Sequence, residues 1–244
     1  MAHFYAGTSG WAYASWKPDF YPAKLAQAKF LPYYATQLNA VEVNFTFRQL
    51  LKDTTAEKWV GETPPGFCFS VKAHQVITHI KRMQQTEDFV RRFLGSLEPL
   101  ARAAKLGPLL FQLPPNLKAD RSLLADFLAG LPRVPSAFEF RHASWFDEAT
   151  FDLLRRHNCA LCVAETEERV TPDVITADFC YYRYRKPDYA REERQAMITR
   201  MQEHLAAQRN VYAYFKHEET PQGARYALEL LQEIASQQQT EKPR

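Results

Sequence analysis

The sequence predicts an α/β fold, a single (β/α)8 TIM barrel, on three observations. The 244 residues match the length of one such barrel. Short β-rich runs alternate with stretches of helical period from end to end. There are eight such runs, each with at least three apolar or aromatic residues, as strands covered on both faces require. An open doubly wound sheet is the alternative topology.

The expected strands are residues 4–9, 40–44, 67–72, 108–113, 136–141, 160–165, 179–183 and 211–216. Between them lie helices with readable ends. Thr86 and Asp88 open one with the stripe Phe89, Phe93, Leu97, Leu100 and Ala104, kinked at Pro99 and stopped at Gly107 and Pro108. Asp120 caps a second, carrying Leu123, Leu124, Phe127 and Leu128 and ended by Gly130 and Pro132. Ser144 and Asp147 resemble a capping box ahead of Phe151 and Leu154. Thr220 and Pro221 open the last helix, with Ala224, Ala227, Leu228, Leu231 and Ile234 inward. The connection 166–178 is short, so the helix after strand six is expected to be short or missing. No repeat, linker or composition shift divides the chain. One domain is expected over 1–235, followed by a polar, frayed tail over 236–244.

Composition excludes several classes. Thirty-one Lys and Arg against 28 Asp and Glu leave +3, too balanced for a dedicated nucleic-acid binder. A hydrophobic content of 46%, with 17 Phe, 12 Tyr and 4 Trp, excludes disorder for most of the chain. Glycine is scarce, at 8 residues, and neither G-x-G-x-x-G nor G-x-x-x-x-G-K-[ST] occurs. No signal-peptide pattern opens the chain, no apolar stretch nears the roughly 18 residues of a membrane span, and four cysteines make no disulfide framework. A cytoplasmic protein is expected, with no membrane association.

In a parallel barrel the functional groups gather at the carboxyl ends of the strands. Strand one ends in Ser9, Gly10 and Trp11; Glu42 and Asn44 share one face of strand two; Ser70 and Lys72 share one face of strand three. Strand four ends in Gln112. Glu139 and Arg141 share a face of strand five, followed by His142. Strands six, seven and eight end in Glu165, in Arg183, and in Lys216 with His217. Charged residues inside strands this apolar are paired or functional. Glu42, Lys72, Glu139 and Arg141 therefore form either an ion-pair network filling the barrel or a polar pocket at its mouth. Their common end favours the pocket.

Lys72, Arg141, Arg183 and Lys216 outnumber Glu42, Glu139 and Glu165, and Arg185 and Lys186 follow strand seven. This basic side predicts a pocket for a small anionic molecule bearing phosphate or carboxylate, with Thr220 at a helix amino terminus able to add backbone amides. Glu42, Lys72, Glu139 and His142 are the candidate catalytic residues: a Glu as acid/base, or Lys72 as a Schiff-base amine if burial and neighbouring cations lower its pKa. Ser9, Trp11, Asn44, Gln112, Arg141, Glu165, Arg183, Lys216 and His217 are the candidate ligand contacts. A metal-dependent isomerase or hydrolase would use Glu42, Glu139 and Glu165 with His142 or His217, but the close cations oppose it; no metal ligand is assigned and the cofactor is left unknown. A third reading is a nucleic-acid or protein binding module built on residues 182–194 and 200–209, with Tyr184 and Tyr189 for base stacking, although Glu192, Glu193 and Glu203 dilute its charge. Cys159 and Cys162 read as core thiols, and His74 and His79 as solvated loop residues.

The same strand ends resemble a known family. Gly7-Thr8-Ser9-Gly10-Trp11 with Phe20-Tyr21-Pro22, Val41-Glu42-Val43-Asn44 with Thr46-Phe47, and Phe69-Ser70-Val71-Lys72 with Ile77-Thr78-His79 are similar to motifs of the YecE-like family, named after domain of unknown function 72. So are Lys105-Leu106-Gly107-Pro108, Phe111-Gln112-Leu113-Pro114-Pro115, and Phe138-Glu139-Phe140-Arg141-His142 with Ser144-Trp145. The resemblance spans about residues 4–235. It implies a TIM barrel and no particular reaction; likeness to sugar-isomerase and endonuclease barrels is analogy. The last three strand ends depart from the family. Arg185-Lys186 stands where the family shows His-Gly, Lys216-His217-Glu218 where it shows Asn-Asn-Asp, and Glu165 where Asp is frequent. After Asn44 the chain has Phe47-Arg48 in place of Phe-Tyr. The added basic residues imply a more anionic ligand, or alternatively loss of the ancestral activity.

Overall fold

The computed structural model describes residues 2–165 and 171–240. Eight parallel strands close into a barrel in sequence order, each hydrogen-bonded to the next and β8 to β1. They are β1 (Phe4–Ser9), β2 (Ala40–Val43), β3 (Cys68–Lys72), β4 (Leu106–Gln112), β5 (Ser136–Glu139), β6 (Ala160–Glu165), β7 (Phe179–Tyr184) and β8 (Asn210–Phe215). The TIM barrel is therefore the fold, and the open sheet is excluded.

Around it run α1 (Phe30–Gln37), α2 (Asp53–Gly61), α3 (Glu87–Gly95), α4 (Glu98–Arg102), α5 (Arg121–Gly130), α6 (Glu148–Arg156), α7 (Arg191–Ala206) and α8 (Gln222–Thr240). Between β6 and β7, residues 171–178 hold no helix. The rest of that connection, 166–170, and the tail residues 241–244 lie outside the described residues. No helix among the described residues is long and apolar enough to cross a membrane.

Three local expectations are corrected. The helix predicted from Thr86 to Ala104 is two helices, because Pro99 sits in the first turn of α4, where its missing N–H costs nothing, instead of inside a continuous helix. Asp147 alone caps α6, accepting from Thr150 N at 2.9 Å, while Ser144 belongs to a preceding 3-10 turn. The tail does not fray at Ser236: α8 continues to Thr240, and the Ser236 hydroxyl donates back to Glu233 O at 2.8 Å. Asp120 caps α5 as expected, accepting from Leu123 N at 3.0 Å.

Strand alternation sorts the apolar residues into two shells. Phe4, Ala6, Val41, Phe69, Val71, Phe111, Phe138, Val163, Tyr182 and Phe215 face outward and pack under the helices. Ala40, Cys68, Leu110, Ala137, Cys162, Tyr181, Tyr212 and Tyr214 face the lumen. Two buried side chains at the helix–barrel joints show how polar atoms there are satisfied. The Tyr34 hydroxyl of α1 accepts from Thr8 N at 2.8 Å and donates to Ala40 O at 2.9 Å, fastening the helix across β1 and β2. Lys105, buried with no carboxylate in salt-bridge reach among the described residues, donates to Val60 O at 2.7 Å and Thr63 O at 2.6 Å at the carboxyl end of α2.

The tightest backbone approach is at Gly7, where a Cβ would lie 1.8 Å from Ala40 O. Gly7→Ala is expected to cost more than about 3 kcal/mol in urea unfolding, at the severe end for a single substitution. Gly130→Ala, with nothing within 4 Å of its Cβ, serves as the control and should change stability by less than about 1 kcal/mol.

Candidate functional site

The lumen-facing positions nearest the carboxyl ends of the strands carry one continuous polar group. Register explains its first contacts. Ser9 lies directly opposite Glu42 across β1 and β2, and Gln112 opposite Glu139 across β4 and β5. Opposed residues on one face are within side-chain reach. The Ser9 hydroxyl accordingly donates to Glu42 Oε1 at 2.5 Å, and Gln112 Nε2 to Glu139 Oε2 at 2.8 Å.

Arg183 of β7 crosses the lumen and joins these halves. Its Nη2 donates to Glu42 Oε1 at 2.6 Å and its Nη1 to Glu139 Oε2. All three side chains are essentially out of water, at 3%, 0% and 2% exposure. Tyr181, two residues earlier on the same face, donates to Glu42 Oε2 at 2.9 Å, and Asn44 Nδ2 reaches Oε1 at 3.3 Å. Below them the Ser70 and Tyr214 hydroxyls are bonded at 2.7 Å.

Toward the mouth, the network becomes cationic. Arg141 Nε donates to Glu139 Oε1 at 3.1 Å, and Arg185 Nη2 to both oxygens at 3.2 and 3.1 Å. One carboxylate thus receives three guanidiniums and the Gln112 amide. Lys72 Nζ donates to Gln112 Oε1 at 2.9 Å and sits 4.2 Å from the centre of the Phe47 ring. Phe47 in turn meets the His79 ring edge-on at 4.9 Å. His79 belongs to a π-helical turn, Val76–Ile80.

The electrostatics follow from burial and neighbours. Burial alone would raise the Glu139 pKa, but the charges of Arg183 and Arg141 outweigh it and hold the carboxyl below its usual value. Burial first, then the Arg183 charge, pushes the Lys72 ammonium down to about 8. Burial, with Lys72 and Arg141 nearby, lowers His79 too.

Of the residues singled out from the sequence, Ser9, Glu42, Asn44, Lys72, Gln112, Glu139, Arg141 and Arg183 meet in this group. Five others do not. Trp11 packs edge-on against Trp59 of α2 at 5.0 Å. His142 caps the 3-10 turn Ala143–Trp145 through Nδ1, which accepts from Ser144 N at 3.2 Å. Glu165 has the outward parity of Val163 and pairs with Lys186 at 2.6 Å. Lys216 lies past the end of β8, half-exposed, 3.5 Å from Glu218. His217 Nε2 meets Pro187 O at 3.1 Å, tying two loops together. Tyr181 joins the group unassigned from the sequence, and so does Arg185, which the sequence places only on the basic side beyond strand seven. Their signal was the alternation 179, 181, 183, 185 on one face of β7.

The other expectations fare variously. Tyr182, Tyr184 and Tyr189 are buried, so they offer no platform to bases; Arg194 pairs with Glu229 and Arg200 with Asp173. Cys159 and Cys162 are free, buried thiols, and burial pushes Cys159 up to about 12. His74 is buried rather than solvated, its Nδ1 accepting from Val76 N at 3.1 Å. Among the described residues no three His, Cys, Asp or Glu side chains come together as metal ligands.

Comparison with known proteins now adds the family. The profile described as "Protein of unknown function DUF72" matches residues 5–244. The chain belongs to the DUF72 family. It is 33% identical over 155 residues to UPF0759 protein YunF of Bacillus subtilis (strain 168), covering 61% of this chain and 54% of that protein. Over 144 residues it is 29% identical to UPF0759 protein YecE of Escherichia coli (strain K12), covering 58% of this chain and 50% of the other. The matched regions thus span about half the length of these curated relatives. A DUF72 family protein from Thermotoga maritima MSB8 superposes with a TM-score of 0.84 at 26% identity, over 96% of this chain and 99% of that one. A second, from Enterococcus faecalis V583, gives 0.78 at 16% identity over 96% and 98%, a likeness of fold alone.

Two predictions follow from the bridge. Arg183→Met leaves two buried carboxylates without their shared cation and is expected to cost about 3–5 kcal/mol in denaturant unfolding. Glu139, with its folded pKa depressed below 4.5, contributes stability that is complete above that value and is lost as pH falls through the lower folded pKa. Glu139→Gln should therefore flatten the acid side of the stability–pH curve, measured by urea titrations between about pH 5 and pH 2.

Proposed function

We propose that this DUF72 protein binds a small anionic molecule, bearing phosphate or carboxylate, at the mouth of the barrel. The observation that carries this reading is the crowding of Arg141, Arg183 and Arg185 on the single carboxylate of Glu139. Among the described residues, and with Arg141 set aside, the cations Lys72, Arg183 and Arg185 outnumber the carboxylates Glu42 and Glu139 by one formal charge. Excess positive charge between low-dielectric walls focuses its field on an incoming anion. Arg185 and Arg141 stand at the outer edge, 14% and 31% exposed, where a ligand could reach them.

The same geometry argues against the other readings of the site. Glu42 and Glu139 are each engaged by several donors, and Glu139 is held ionised, which suits a fixed countercharge better than a general acid. A divalent metal would have to displace Arg183 from both carboxylates and tolerate the cations around them. The four free, buried cysteines suit a reducing compartment, so we place this binding in the cytoplasm.

Thermal unfolding against inorganic phosphate at fixed ionic strength, with chloride as control, tests the reading. A ligand at roughly 100 times its Kd adds about 2.7 kcal/mol of stability, a shift of several degrees. The shift is expected to saturate, to vanish in Arg185→Glu, and to persist in Lys216→Glu, because Lys216 lies outside the buried group beside Glu218. No saturating shift in the unaltered protein would reduce the charged residues to an internal ion-pair network.

A further inference from the structure

We infer that Lys72 is an amine nucleophile, condensing with a carbonyl carbon of the bound anion to form an imine. This rests on the anion-binding reading above and adds a substrate class to it: oxo acids and phosphorylated aldehydes or ketones.

Lys72 differs from every other cation in the group. Arg183, Arg185 and Arg141 each lie within salt-bridge distance of a carboxylate. Lys72 has none among the described residues; its nitrogen meets the amide oxygen of Gln112 and the face of Phe47. That amide cannot turn its nitrogen to Lys72 without losing its bond to Glu139, so its oxygen is kept toward the amine. An amide oxygen accepts from an ammonium or from a neutral amine, whereas a carboxylate would hold the proton on. The group stands at the end of β3, half-buried, facing the lumen beside the cations proposed to hold the anion.

Burial and the Arg183 charge bring the ammonium down to about 8. At pH 7 about a tenth of the chains then carry the neutral amine, against fewer than about one in a thousand for an ordinary lysine. Neutral amine is the form that attacks.

The step balances without an oxidant or reductant. The nitrogen lone pair forms the C–N bond while the carbonyl π pair moves to oxygen. A proton passes from nitrogen to that oxygen, giving the carbinolamine. Its hydroxyl and the remaining amine proton leave as water, and the C=N bond forms. Amine plus carbonyl becomes imine plus water. When protonated, the imine carries the charge that the lysine carried.

The full chain is incubated with pyruvate, or separately with dihydroxyacetone phosphate, in cyanoborohydride, and read by intact mass and peptide mapping. One adduct per chain is expected, equal to the probe mass less one oxygen atom, on the peptide containing Lys72. It should form more than about ten-fold faster than on any exposed lysine, at a rate that rises with pH toward a plateau above about pH 8. Lys72→Arg should abolish it with ligand-free melting intact, and Lys216→Arg should leave it unchanged. Labelling spread evenly over surface lysines, or persisting in Lys72→Arg, would overturn the inference. A saturating phosphate shift without an adduct would overturn it while leaving the anion site standing; neither shift nor adduct would remove both.

Discussion

A guanidinium removed from water is tolerated only where carboxylates surround it, and Arg183 meets two from opposite sides of the barrel. β7 supplies the cation, β2 and β5 the anions, and the lumen between them is closed to solvent. Everything else at this end takes its position from that bridge. Ser9, Asn44 and Tyr181 complete the shell of Glu42, and Gln112 that of Glu139. Tyrosines fill the lumen further down: Tyr5 stacks on Tyr212 at 4.9 Å, and Tyr181 packs on Tyr214 at 5.4 Å. Such a bridge is weak evidence for stability, since apolar residues of similar volume often serve as well. Its consequence lies in geometry, because it fixes both carboxylates in the lumen, where Glu139 also receives Arg141 and Arg185 from the mouth side.

That asymmetry gives the site its character. Arg141 and Arg185 approach Glu139 from the solvent side, and Lys72 is held by the Gln112 amide oxygen and the Phe47 ring. The proposed anion site rests on these cations above the neutralised floor, and the proposed chemistry on Lys72, which has no carboxylate within salt-bridge distance among the described residues. In this chain the basic residue Arg185 belongs to the network itself. Lys186 instead pairs with Glu165 and Glu193, outside the lumen. Membership in DUF72 carries the barrel over from the relatives; the charge at the mouth is a property of these residues.

Much of this was legible in the chain before its structure. Period-2 alternation is a strong local signal in strands buried on both faces, so Glu42 with Asn44, Ser70 with Lys72 and Glu139 with Arg141 were placed on the correct side. The signal fails where a strand ends. Glu165 has the parity of Val163 and so faces the helices, while Lys216 leaves the strand after Phe215 and turns to solvent beside Glu218. Parity was not carried through in β7, where Tyr181 shares the face of Arg183 and Arg185 continues it; an aromatic inside a strand reads first as packing, and Arg185 reads only as part of a basic side. The contact of Lys72 and His79 with Phe47 joins residues more than two dozen apart through a π-helical turn, which no local period announces. Pro99 was legible as a break, but whether it kinks one helix or starts another depends on packing against the barrel.

The most direct test of the bridge and its cationic rim is an anomalous-diffraction experiment on crystals soaked in selenate, a heavier stand-in for phosphate. An anomalous peak is expected at the mouth within hydrogen-bond distance of Lys72 and Arg185, with Arg183 still spanning Glu42 and Glu139 beneath it. Selenate found only on the outer surface, or Arg183 swung away from either carboxylate, would contradict it.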